Sequence, residues 1–148
     1  NENWGKIGVL VALESKAAKT SLQKLGKELA MHIAATSPSS ISIEDLSSEL
    51  VERERKVLID QAMASGKPED IAKKMVEGRL RKFYSEVVLL EQTFVIDGET
   101  KVSDVINKVS KELNHDIKIN SFIRYNLGEG IEKNTKNFAD EVAEQLSD

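Results

Sequence analysis

The chain has 148 residues, with 21 Lys and Arg against 25 Asp and Glu for a formal net charge of -4, and it contains no cysteine. That balance provides no basic field to hold a nucleic-acid backbone or an anionic membrane, and the missing thiols exclude disulfides, thiolate chemistry and Cys-ligated zinc. The length suits one domain that buries about 70% of its unfolded surface, the aromatic share of 5% is low for a binder of bases or sugars, and no apolar run approaches the roughly 20 residues of a membrane span.

Lys6–Leu13, KIGVLVAL, is a short continuous apolar run rich in Val and Ile, which predicts a central strand. From Lys19 to Ala35 the residues Leu22, Leu25, Leu29 and Ile33 recur at helical spacing until Ser37-Pro38, so a helix is expected to cover one face of that strand. Ser39 to Ile43 reads as a short extended link.

Glu44 to Phe83 predicts two helices joined by Ser65-Gly66-Lys67-Pro68. Leu46, Leu50, Val57, Leu58 and Ala62 mark an apolar stripe on the first helix, and Ile71, Met75, Leu80 and Phe83 mark one on the second. So short a turn makes the pair an antiparallel hairpin. Ser42 with Asp45 predicts the first N-cap, Gly66 a left-handed position and Pro68 the start of the second helix. Gly78, inside that helix, is expected at a close packing contact. The hairpin reads either as a local stabilising element or as a protruding contact surface.

Val87 to Ile96 returns the chain, partly as helix end and partly extended, and Asp97-Gly98 signals a turn. Ser103 to Leu113 predicts a helix with Val102, Val105, Ile106, Val109 and Leu113 on one side and Ser103 near its cap. Asp116 to Asn126 alternates, which predicts a strand antiparallel to the first, with Ile117, Ile119, Ser121, Ile123 and Tyr125 on one face and Lys118, Asn120, Phe122, Arg124 and Asn126 on the other. Asn137 to Leu146 predicts a last short helix that has to dock on its own domain or on a partner. The fold class is therefore α+β: a small antiparallel sheet covered by helices, with a protruding antiparallel helical hairpin.

His32 and His115 lie on separate elements without ligand spacing, and the carboxylates scatter over polar faces, so no catalytic residue, metal or cofactor is expected. Gly128-Glu129-Gly130 lacks the Gly-Lys-Ser/Thr ending of a phosphate loop, and Glu129 would oppose a phosphate charge. It reads as a turn that needs permissive glycines at 128 and 130.

Five motifs in order then resemble the bacterial elongation factor Ts family: Lys6-Ile7-Gly8-Val9-Leu10-Val11, Met31-His32-Ile33-Ala34-Ala35, Ser65-Gly66-Lys67-Pro68, Met75-Val76-Glu77-Gly78-Arg79, and Gly128-Glu129-Gly130-Ile131-Glu132-Lys133 followed by Asn137-Phe138-Ala139-Asp140-Glu141-Val142-Ala143. Thr93 replaces the proline usual in the family's Gln-Pro-Phe-Val motif. The resemblance implies a cytoplasmic guanine-nucleotide exchange factor for elongation factor Tu, acting without covalent chemistry. It further implies the C-terminal part of that architecture: a core subdomain over 1–43 and 84–127, a helical-hairpin dimerisation subdomain over 44–83, and a C-terminal module over 128–148. The family's N-terminal helical domain and first core subdomain, with the Thr-Asp-Phe motif whose Phe wedges into the partner, have no counterpart in these residues. By the same resemblance Ile131, Phe138 and Val142 are the partner-binding residues, and the sheet supports contacts to the partner's third domain. The alternative reading is a homodimerisation or interaction module without exchange activity of its own.

Overall fold

The computed structural model describes residues 5–66 and 68–129. In chain order these form β1 (Ile7–Ser15), α1 (Lys19–Thr36), α2 (Ser48–Ala64), α3 (Glu69–Val87), a 3-10 turn (Leu89–Glu91), α4 (Val102–Leu113) and β2 (Ile117–Asn126). The predicted last helix lies outside the described residues. The two strands pair antiparallel, so an α+β fold with a small sheet and four helices is what the sequence encodes.

One face of the sheet carries the main core. Leu25, Leu29 and Ile33 of α1, Val102 and Ile106 of α4, Ile117 and Ile119 of β2, and Leu89 and Phe94 of the return segment are all buried in one cluster, with Val9, Val11, Leu13, Val105, Val109 and Leu113 packed against it. The predicted stripes of α1 and α4 are therefore the observed ones. The α1 helix ends where Ser37 turns left-handed (φ 49°), and α4 ends likewise at Asn114 (φ 52°); both are residues whose polar side chains suit a chain reversal. Ser103 is inside α4, and Lys101 precedes its first residue without a side-chain cap.

The helices α2 and α3 form a second, smaller cluster of Leu58, Ala62, Ala72, Val76 and Leu80, with Tyr84 against it. The Arg55 guanidinium reaches Glu77 at 3.1 Å and Arg79 donates to Gln61 at 2.8 Å, both along the exposed flank of the pair. On α3 the packed stripe is Ala72-Val76-Leu80, each four residues on from the last; Leu80 is buried as predicted, whereas Ile71 is exposed and the bulkier Ile71 and Met75 misdirected the rest of the reading by one position. On α2, Leu50 and Val57 are also exposed. This helix begins at Ser48, because Asp45 is engaged in a separate turn: its carboxylate accepts from the N–H and hydroxyl of Ser42 at 3.0 and 2.8 Å. Gly66 has φ +68°, as the turn requires, and Pro68 immediately precedes α3. Gly78, expected at a close contact, is exposed with open space where a Cβ would stand, and nothing in the structure explains a glycine there.

At the base of the pair, the link into α2 and the segment leaving α3 lie side by side. Val87 O accepts from Ser39 N–H, Ser40 O from Leu89 N–H and Ile41 O from Leu90 N–H, at 2.8, 2.9 and 3.1 Å. Next to this clamp lies the most buried polar group. His32 is fully buried, its Nδ1 accepting from Val95 N–H at 3.2 Å, so Nε2 carries the proton and donates to Gln92 Oε1 at 2.8 Å. Gln92 Nε2 donates to Glu86 O at 2.8 Å, the Thr36 hydroxyl lies 3.0 Å from Gln92 Oε1, and the Gln92 carbonyl accepts from Val102 N–H. Burial lowers the His32 pKa, with the Gln92 bond opposing it.

Two predictions follow from these placements. Replacing Gly78 by Ala adds helix propensity without a clash and is expected to stabilise the fold by about 0.5–1 kcal/mol, whereas Gly66→Val forces a β-branched residue to positive φ and is expected to cost about 1 kcal/mol or more. Thermal melts of both variants check the contrast, and equal midpoints would refute the turn assignment. For His32 the folded pKa lies below the unfolded 6.5, so the unfolded chain takes up protons first. Stability is thus full above pH 6.5 and declines as pH falls below it. Asp45 and Asp97 are held below 3.8, chiefly by the bond from the Ser42 side chain and by the Glu99 N–H respectively, so their contribution is lost only in a more acid window. Urea midpoints between pH 7.5 and 5.5 are expected to fall in the native protein and to fall less in His32→Gln.

Candidate partner interface

Strict alternation along β2 would turn Ile117, Ile119, Ser121, Ile123 and Tyr125 to one face. The structure breaks that pattern with a bulge. Ala12 pairs with Ser121 while the next residue, Leu13, pairs with Ile119, which leaves Asn120 as the extra residue. An extra residue in one strand shifts the period-2 alternation by one. Beyond it, Phe122 and Arg124 face inward with Val11 and Val9, and Ile123 and Tyr125 turn outward beside Leu10 and Gly8.

The consequence is an apolar outer face. Leu10 is 70% exposed, Ile123 48% and Tyr125 70%, and Leu127 just past the strand is 81% exposed. Single exposed apolar residues are ordinary, but cross-strand neighbours Leu10 and Ile123, with Tyr125 next along β2, make a contiguous patch of the kind that marks a contact surface. Lys118 opposite Glu14 closes this face with a polar pair at the far end.

The patch runs into the turn at Gly128. Leu127 N–H donates to Lys6 O at 2.8 Å, Gly128 has φ +84°, and Glu129 N–H returns to Asn126 O at 3.0 Å. The predicted turn residue Gly128 is thus in the conformation that favours glycine, and Gly130 lies outside the described residues. So do Ile131, Phe138 and Val142, which places none of the implied partner-binding residues on the described surface. What the sequence reading missed is the outward set Leu10, Ile123 and Tyr125, because the signal for it was the bulge at Asn120, which composition does not announce.

Chemistry is sparse elsewhere. Among the described residues no group of three or more His, Asp or Glu is placed to hold a metal ion, no helix is long and apolar enough to cross a membrane, and no buried side-chain nitrogen or oxygen lacks a hydrogen-bond partner. Two open grooves of about 750 Å³ flank β2, one against Ser39–Asp45 and α4, the other around Lys16, Lys111 and His115. Both mix apolar surface with charges of either sign, Asp45 and Lys118 in the first and Glu14, Asp116, Lys16 and Lys111 in the second.

Comparison with known proteins agrees with the pattern of motifs. The family described as elongation factor TS matches residues 1–129. The chain is 58% identical to elongation factor Ts of Rhodospirillum centenum over 141 residues, covering 95% of this chain and 46% of that protein. Against the Rhodospirillum rubrum protein the identity is 57% over 142 residues (96% and 46%), and against that of Rickettsia felis it is 56% over 142 (95% and 46%). The chain thus spans about half the length of these relatives, and across nearly all of that span, through sheet, hairpin and return segment alike, it belongs to the elongation factor Ts family.

Proposed function

We propose that this chain binds elongation factor Tu in the bacterial cytoplasm and is part of a factor that exchanges the partner's GDP for GTP. Family membership supports the reading, and the observation that carries it is the exposed apolar face of Leu10, Ile123 and Tyr125, which suits a protein partner. Ile131, Phe138 and Val142 are proposed to add a second contact beyond the described residues. The proposed division is a core over 1–43 and 84–127, a hairpin over 44–83 and a C-terminal module over 128–148.

Exchange needs no covalent step. A factor that prefers the nucleotide-free partner weakens nucleotide binding by the same ratio, because coupling between two sites is reciprocal. A second reading is a homodimerisation module, favoured by exposed Leu50, Val57, Ile59 and Met63 on α2. The two differ in which surface matters.

Titration calorimetry with nucleotide-free elongation factor Tu separates them. The chain is expected to bind, and Leu10→Lys with Tyr125→Lys is expected to weaken binding at least tenfold while stability stays within about 0.5 kcal/mol, as for most surface changes. Unaltered affinity in that variant would remove the sheet face from the interface. Binding absent altogether, with a concentration-dependent dimer lost on Val57→Lys, would favour the second reading.

Acceleration of GDP release is a separate matter. The Thr-Asp-Phe wedge motif does not occur in this sequence, and contacts that do not discriminate between nucleotide states contribute affinity without acceleration. Stopped-flow release of a fluorescent GDP analogue is therefore expected to be more than tenfold slower with saturating chain than with a full-length relative. A rate within tenfold would shift exchange onto residues present here.

A further inference from the structure

Gly8 stands in the ladder of β1, between the pairs Ile7–Asn126 and Val9–Arg124 and opposite Tyr125. Glycine weakens a strand there, because it loses more backbone freedom than other residues and packs no side chain. It is ordinarily accounted for by a positive φ, a bulge or a close neighbour. Gly8 has none of these. The positive-φ glycines among the described residues are Gly66, Gly98 and Gly128. The register runs unbroken from Ile7 to Ala12, with the irregularity between Ala12 and Leu13. No atom lies within 4 Å of the place where a Gly8 Cβ would stand. The fold therefore makes no demand for glycine at this position.

What the missing side chain leaves is a notch in the outer face of the sheet. Val9 packs inward, so its neighbours Gly8 and Leu10 point outward. Leu10 and the cross-strand Tyr125 are both largely exposed, and the Tyr125 ring does not cover the glycine beside it. From the Gly8–Tyr125 pair to the Ala12–Ser121 pair no charged residue points outward; the first charges beyond are Glu14 and Lys118.

We infer that Gly8 is a specificity-determining residue of the partner interface: its bare backbone floors a notch, walled by Leu10 and Tyr125, that receives an uncharged apolar side chain of elongation factor Tu. The inference rests on the proposed binding of that partner to this face. The walls decide the chemistry of the occupant. A Lys or Glu inserted here would lose hydration without meeting a counter-charge, whereas an aliphatic or aromatic group gains by burial against Leu10 and Tyr125. Anchors seated in such pockets, ringed by contacts that exclude water, carry most of the energy of a protein interface. Any side chain at position 8 would stand where that anchor goes.

Gly8→Ala and Gly8→Val fill the notch by degrees. Open space at the Cβ position and the strand preference of Val give an expected thermal midpoint at or above that of the native chain in both variants. In titration calorimetry with nucleotide-free elongation factor Tu, Kd is expected to rise about threefold for Gly8→Ala and about tenfold or more for Gly8→Val. A variant that gains stability while losing affinity is the signature of a residue kept for its partner. Native affinity in Gly8→Val, with binding still lost in Leu10→Lys with Tyr125→Lys, would overturn the notch and leave the sheet face as the interface. A midpoint well below native in both variants would also overturn it, since glycine would then serve the fold. Absence of binding by the native chain would overturn the functional reading and the notch together.

Discussion

The hydrogen bond from His32 Nε2 to Gln92 Oε1, 2.8 Å long and fully buried, is the constraint on which the arrangement of helices depends. A buried polar group left unpaired costs about 1–3 kcal/mol, so each partner commits the segment that carries it. His32 commits the middle of α1, Gln92 the return from the hairpin, Glu86 O the end of α3 and Val102 N–H the start of α4. Three helices meet on one glutamine, α1 and α3 at its side-chain amide and α4 at its backbone carbonyl. The Val95 N–H fixes the imidazole tautomer from the other side, and Phe94, with its ring centroid 5.6 Å from that of His32, closes the apolar surround. Protonation would turn Nδ1 from acceptor to donor and oppose the Val95 N–H, while burial is what lowers the pKa.

The hairpin obeys a different economy. Its seam buries Leu58 and Leu80 with the smaller Ala62, Ala72 and Val76 between the helices, and small residues there allow the helix axes to approach. That cluster shares no buried residue with the core around His32. Among the described residues the join is the backbone clamp of Ser39–Ile41 with Val87–Leu90, which continues into Gln92 two residues later. Exposed ion pairs such as Arg55–Glu77 add little, since surface pairs are worth about 0–1 kcal/mol. The geometry of the hairpin relative to the core is therefore set at its base, by backbone hydrogen bonds and the glutamine beyond them.

How much of this was legible follows from which forces act locally. The stripes of α1 and α4, the left-handed Gly66 and Gly128, and the antiparallel pairing of two apolar strands are written in short-range spacing, and the structure reproduces them. The α3 stripe was read correctly at Leu80 and misplaced at its start, because Ala72 is a weak signal beside Ile71, though close approach of two helices favours the smaller side chain. The α2 start was misplaced because Asp45 serves a turn of its own. His32 was legible as lacking ligand spacing but not as buried, because its partner Gln92 is 60 positions away, beyond any periodic pattern. The implied contact residues Ile131, Phe138 and Val142 fall outside the described residues, so for them the family resemblance stands alone.

The bulge at Asn120 connects these observations to function. A regular β2 would have turned Ile123 and Tyr125 toward α1 and sent Phe122 and Arg124 to solvent, leaving an outer face with a charge in its middle. One extra residue reverses both assignments: Arg124 reaches Ala34 O and the Glu129 turn, while Leu10, Ile123 and Tyr125 assemble outside. The inward placement of Arg124 and the outer apolar face thus have a single cause. In the proposed exchange role that face would favour the nucleotide-free partner only so far as the partner presents a different surface to it in the two states, since a ligand shifts an equilibrium by its differential affinity alone.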